Sequence, residues 1–412
     1  MKIKIFVVTL ALFFAGCNNN LQDGTPESFQ SPDGQFTIQS PVLVGASRIG
    51  EYLPTIRDKT IALVVNQTSV VNNTHLVDLL QGAGIRIKMI FAPEHGFRGT
   101  ADAGEKITDA KDPNTGIPVV SLYGSKRAPS AEDLAGVDWV LFDIQDVGVR
   151  FYTYISTMHE VMEACAKNKV KFMVLDRPNP NGHYVDGPLL EPDLKSFVGM
   201  HPGVPVVHGM TVGEYAQMIN GEGWLAGGIK CDLKVIPCDN YDHKTPYILP
   251  IKPSPNLPNN RAIYLYPSIC YFEGTVISLG RGTDKQFQII GHPDLPASEY
   301  PDKFTPEPKP GAMQPPLEGK LCNGKDLTTQ MPEELWKKAK IDLSYVLNAY
   351  QNFPDKSNFF LKSNFFDKLA GTTQLREQIV AGKSESEIRK NWEAGLGKYQ
   401  NMRKKYLIYN DF

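Results

Sequence analysis

Between residues 60 and 237 the chain keeps repeating one phrase: a short apolar run, a polar break, then a stretch with helical spacing. Runs such as Val140-Leu141-Phe142-Asp143-Ile144 and Phe172-Met173-Val174-Leu175-Asp176 are apolar almost throughout. A strand covered on both faces needs that pattern, whereas a strand with one face in water alternates. The runs predict strands at 60–65, 86–92, 118–123, 138–143, 171–176 and 232–237. Helices are predicted at 74–81, 130–134 and 154–168, and a further one opens at Thr211, where Glu214 completes a capping box. Strands that alternate with helices imply an α/β chain with a doubly wound parallel sheet.

After Pro250 the character changes. Pro253-Ser254-Pro255-Asn256-Leu257-Pro258 reads as a stiff hinge, 272–279 as a lone strand and 301–316 as a proline-rich loop. Helices follow at 333–352 and from Ser384 to about 406, with Ser384 and Glu387 as a second capping box. The 412 residues therefore divide into a sheet domain at 42–252 and a smaller C-terminal α+β domain at 253–412. Lys2 and Lys4, the apolar stretch 5–15 and Ala15-Gly16-Cys17 have the layout of a bacterial lipoprotein signal over 1–16. Cys17 is then the lipidated residue, 17–41 a flexible tether, and the protein exported, facing the periplasm or the cell surface. No later run approaches the roughly 18 apolar residues that cross a bilayer, so the membrane is met only through that anchor. A net charge of −2 offers no basic patch for nucleic acid. Cysteine spacings match no metal motif, and Cys231 with Cys238 is a candidate pair closing a hairpin.

Ligands of open α/β sheets bind beyond the carboxyl ends of the strands. Those ends carry Asn66-Gln67-Thr68, then Glu94-His95 with Arg98, then Asp143, Gln145, Asp146, Arg150 and Tyr152, then Asp176, Arg177 and Asn179. Water-facing caps explain one or two such clusters, not four on one rim, so a candidate active site is placed there. The first turn, 66–73, has no glycine, which argues against close approach to a dinucleotide pyrophosphate. A G-x-S-x-G elbow is also missing, and His95, His208 and His292 lack metal-ligand spacing, so neither cofactor nor metal is expected. Glu94 follows Phe91-Ala92-Pro93, an apolar setting expected to favour a carboxyl that donates its proton. Such a group suits protonation of a leaving oxygen in glycoside hydrolysis. Asp146 is the candidate second carboxylate, and Asp143 is expected to brace its strand end.

The segments APEHGFRGTADAGE, FDIQDVGVRFYTYISTM, LDRPNPNG, VHGMTVGEYA, PSPNLP and YFEGTVISLGRGT resemble the signature segments of the exo-β-N-acetylmuramidase family, glycoside hydrolase family 171 of the NamZ type. The resemblance runs from about Val42 to the C-terminus. It implies a Rossmann-like domain, a cleft against a smaller domain, and removal of terminal N-acetylmuramic acid from the non-reducing ends of peptidoglycan fragments. It also puts the family's catalytic glutamate on Glu94. The lactyl carboxylate of that sugar needs a cation, for which Arg98, Arg150, Arg177 and Arg281 are candidates. Asn66, Gln145, Asp176 and Asn179 can meet hydroxyl and acetamido groups, Tyr152 or Tyr123 can stack on the ring, and His95 and His208 fall inside signature segments. Either Asp146 activates water or the substrate's acetamido oxygen attacks the sugar carbon. The rival reading is a lipid-anchored solute-binding protein for sugars or muropeptides, although such proteins are built from two similar lobes.

Overall fold

The parallel sheet has six strands, at Thr60–Val65, Arg86–Ala92, Pro118–Ser121, Trp139–Asp143, Lys171–Leu175 and Leu233–Ile236. They were traced in a computed structural model that describes residues 41–94, 96–97 and 110–412. The expected lipoprotein signal, Cys17 and nearly all of the expected tether lie outside these residues, as do His95 and Arg98. Across the sheet the order runs Leu233–Ile236, Lys171–Leu175, Trp139–Asp143, Thr60–Val65, Arg86–Ala92, Pro118–Ser121, with Ala110–Lys111 antiparallel at the far edge. This is the Rossmann order, which reverses between Thr60–Val65 and Trp139–Asp143. A crevice therefore opens over Asn66 and the residues after Asp143.

The apolar runs serve two cores at once. Ile61, Leu63 and Val65 pack with Tyr52, Ile56, Leu76 and Leu80 on one face. Ala62, Val64, Val140 and Phe142 pack with Ile155, Met158 and Val161 on the other. The helices Tyr154–Asn168 and Val212–Gly221 cover that second face, the latter closed by the Thr211–Glu214 capping box. The expected helix at 74–81 starts later, at Leu76, because Thr74–His75 first pairs with Val70–Val71 as a tight hairpin. Cys231 and Cys238 are both buried and free. They flank one extended parallel strand, which sets them on the order of 20 Å apart, far beyond disulfide reach.

From Asn260 onward the chain forms the buried helix Asn260–Ile269, a three-stranded antiparallel sheet and five further helices among the described residues. The sheet places Cys322–Asp326 between Ile289–His292 and Asp302–Phe304. Two expectations fail here. Residues 272–279 form no strand: Cys270–Gly274 is a 3-10 turn, and Thr275 and Ser278 make isolated bridges to Phe360 and Gly291. Gly274 lies so close to Phe366 that a Cβ would sit 2.3 Å from its backbone nitrogen, which ties this segment to a helix instead of a sheet. The helix expected at 333–352 is two, Pro332–Lys338 and Ser344–Asn352, broken at Ala339 (φ 45°). The break lets the Ile341 N–H donate to the buried Asp186 carboxylate at 2.7 Å.

The change of character after Pro250 is real, but residues 40–412 form one compact unit with a shared core. The last helix, Glu385–Arg403, returns to the first half. There the Tyr399 hydroxyl donates to the His208 carbonyl at 2.8 Å and Arg403 Nε donates to the Gly209 carbonyl at 2.8 Å.

Candidate active site

A cavity of about 930 Å³ lies at the carboxyl ends of the strands, between the sheet rim and the C-terminal part. Glu94 enters it directly after the strand Arg86–Ala92, turned by Pro93. Its Oε2 accepts a hydrogen bond from Thr153 Oγ1 at 2.8 Å, and the Tyr123 phenol also bonds to the carboxylate. Burial, then the nearby Glu94 charge, pushes the Tyr123 phenol up to about 12, so it remains a donor at any working pH. Tyr152 and Tyr154 meet edge to face at 4.9 Å beside Glu94, and both sense the charges of Glu94 and Asp146. From the later half, Asn256, Tyr266, Phe272, Glu273, Arg281 and Phe287 complete the wall. The arrangement is a carboxyl group held by two hydroxyl groups at the edge of a largely aromatic pocket.

Of the rim residues picked out by sequence, Glu94, Tyr152, Tyr123 and Arg281 reach this cavity. Arg281 is paired there with Glu273. The other described ones are used beneath it. Arg177 grips Asp143 through Nε at 2.5 Å and Nη2 at 2.9 Å, with both side chains buried. Asp143 thus braces its strand end as expected, while Arg177 is spent on it and does not face a ligand. Asp176 accepts from Thr211 Oγ1, the Gly213 N–H and the Tyr409 hydroxyl. It therefore anchors a helix start and not a sugar, and burial pushes its carboxyl up to about 6. Gln145 donates to the carbonyls of Asp146 and Pro178, and Asn179 donates to that of Met210. Asn66 Oδ1 accepts from Thr68, although its Nδ2 is buried without a partner.

Arg150 departs furthest from its expected role. Its guanidinium is buried and donates to four carbonyls, those of Pro188, Val204, Leu369 and Ala370, at 2.7–3.1 Å. The last two close the helix Phe365–Ala370, whose negative dipole end suits a cation. Burial lowers this guanidinium to about 10, and the charge is met by backbone oxygens instead of a substrate carboxylate.

Asp146 lies off the cavity wall and is 4 % exposed. Its Oδ2 accepts from the Gly148 N–H at 2.6 Å, Oδ1 has no partner, and burial pushes the carboxyl up to about 7. His208 Nε2 stands 3.9 Å away, also unpartnered, on a ring that burial lowers to about 3 and so keeps neutral. The sequence reading missed Thr153, Glu273 and Arg127 as lining residues. Arg127 carries a weaker signal, since it lies in the loop after the third parallel strand, six residues past Ser121, where Glu94 lies two past Ala92.

Family models for the exo-β-N-acetylmuramidase NamZ match this chain twice, the N-terminal model over residues 61–261 and the C-terminal model over 264–409. The chain is 39% identical over 380 residues to the peptidoglycan β-N-acetylmuramidase NamZ of Bacillus subtilis, covering 87% of this chain and 89% of that protein. A solved DUF1343 family protein of Bacteroides fragilis superposes with a TM-score of 0.83 at 48% identity, over 90% of this chain and all of that one. A second protein of that family and organism gives 0.74 at 27% identity, over 90% and 99% of the two chains. With both halves matched and the sheet and its smaller partner shared, the chain belongs to the exo-β-N-acetylmuramidase NamZ family and is a glycoside hydrolase.

Proposed function

We propose that the protein is an exo-acting β-N-acetylmuramidase that removes terminal N-acetylmuramic acid from the non-reducing ends of peptidoglycan fragments, with Glu94 as general acid and base. The observation that carries this reading is the Glu94 carboxyl at the sheet rim, held by Thr153 and Tyr123 and open to a cavity large enough for a sugar. In the first step the protonated Glu94 gives its proton to the glycosidic oxygen as the bond from the sugar carbon breaks. The burial of Asp146, with one oxygen tied to Gly148, supports the substrate's own acetamido oxygen as the group that attacks that carbon. Glu94, now ionised, then takes a proton from the water that opens the cyclic intermediate, and the sugar leaves with its β configuration retained. Tethering through a lipidated Cys17 would place this chemistry outside the cytoplasm, where wall fragments are released for recycling.

The test is turnover of a chromogenic β-N-acetylmuramide by the wild type and by Glu94→Gln. The amide keeps its partners but cannot donate the proton, so kcat falls at least about a hundredfold while the melting temperature is kept. A variant that retains a tenth or more of wild-type kcat removes Glu94 from the proton transfer.

A further inference from the structure

We infer that Arg127 is the specificity residue that recognises the lactyl carboxylate of the sugar; this rests on the muramidase reading above. N-acetylmuramic acid differs from N-acetylglucosamine by that one anionic arm on the third ring carbon, so discrimination calls for an uncommitted cation close to the acid. Among the described residues the cavity wall holds two arginines, Arg127 and Arg281. Arg281 is already neutralised by Glu273 and backs onto the Phe287 ring. Arg150 and Arg177 are buried below the floor, the first turned to four backbone carbonyls and the second to Asp143. Arg127 makes no ion pair with a described residue.

Its position is nonetheless defined. The guanidinium carbon sits 4.4 Å from the centroid of Phe197, itself a wall residue, and stacking of this kind orients the planar fork while leaving its N–H groups free. It also lies on the Glu94 side of the cavity. Tyr123, four residues earlier, bonds to Glu94 and at the same time feels the positive charge of Arg127. A sugar whose glycosidic oxygen meets Glu94 would carry its lactyl arm, two ring carbons from the anomeric centre, past Tyr123 toward this fork. Two parallel N–H···O bonds would then hold the carboxylate.

The experiment measures binding of N-acetylmuramic acid and of its lactyl methyl ester by calorimetry, to the wild-type protein and to Arg127→Met, Arg127→Lys and Arg281→Met. Arg127→Met is expected to weaken the acid about 10- to 100-fold and the uncharged ester less than about twofold. Arg127→Lys, a point charge without the fork, restores part of the loss, and Arg281→Met leaves the acid-to-ester ratio unchanged. In turnover, Arg127→Met raises KM for the muramide and keeps kcat. Equal losses for acid and ester, or no loss for either, overturn the assignment. The outcome is separable from that of the parent reading: a wild type that binds the acid through Arg127 but cleaves no muramide leaves the carboxylate site standing and removes the hydrolase. Hydrolysis with no charge discrimination at Arg127 does the reverse, and a wild type that binds neither ligand removes both.

Discussion

Removing Arg177 should cripple the fold and spare the chemistry. The side chain gives two charge-assisted hydrogen bonds to Asp143, and the two are 4 % and 0 % exposed. At roughly 1.5–3 kcal/mol per charged bond the pair accounts for about 3–6 kcal/mol, in line with the 3–5 kcal/mol typical of stranding one partner of a buried ion pair. Arg177→Met should therefore cost about 4 kcal/mol. With a urea slope of about 3 kcal/mol per molar, the unfolding midpoint falls by more than about 1 M. Asp143→Leu combined with Arg177→Met removes the stranded charge and should recover most of that loss, giving a coupling energy of at least about 2 kcal/mol in a double-mutant cycle. The four tryptophans supply the fluorescence readout. In the folded fraction kcat and KM stay within about twofold of wild type. A midpoint that does not move, together with a KM that rises tenfold, would refute the assignment and return Arg177 to the substrate. Should the single variant fail to accumulate, the double variant alone decides, because a fold that needs the ion pair for its own sake would lose both.

Two further outcomes follow from the site and from the proposed lipid anchor. Asp146 keeps its proton up to about pH 7, whereas the unfolded chain releases it near the ordinary value of 3.8. The folded state thus holds an extra proton across that window, and this group's contribution to stability declines as pH rises from about 4 to about 7 and is flat above it. About three units correspond to at most about 4 kcal/mol. Asp146→Asn cannot ionise, so its urea midpoint should gain on the wild type between pH 5 and pH 8; a difference that is constant with pH would show that burial is not what holds the proton. Cys17→Ser should shift the protein from the membrane fraction to the soluble one when the two are separated by ultracentrifugation, and unchanged membrane association would exclude lipidation as the tether.

The sheet was legible because its strands are buried on both faces. Thr60–Val65, Arg86–Ala92 and Tyr154–Asn168 fall at their expected limits, since there the apolar pattern is dictated by two cores that no neighbour can override. The capping boxes at Thr211 and Ser384 were legible for a local reason: three residues settle them. The strand expected at 272–279 was misread because Thr275-Val276-Ile277 has strand-like composition, while its backbone partners, Phe359 and Phe360, lie more than eighty residues on and offer only single contacts. In the site, Glu94 could be found from its place after a strand. Arg150, Arg177 and Asp176 have the same address, yet their polar ends turn inward to carbonyls, a carboxylate and a helix start. Rim and floor have the same composition, and sequence alone does not separate them. Applying the strand-end rule to the third parallel strand would have brought up Arg127 as well.

The Tyr409 phenol reaches Asp176 from 233 residues further along the chain, at 2.6 Å, and the neighbouring Ile408 N–H donates to the capping Glu214. These contacts bear on how the protein emerges from the ribosome. The strand Lys171–Leu175 and the helix Val212–Gly221 are made early and bring the Thr211 and Gly213 donors to the carboxylates at their junction, but the last donors arrive only when residue 409 has been synthesised. The hydrogen bonding of this junction is therefore completed only at the end of translation. Under the proposed lipidation of Cys17 that delay has a use, since a polypeptide that has not locked its fold can still be threaded across a membrane.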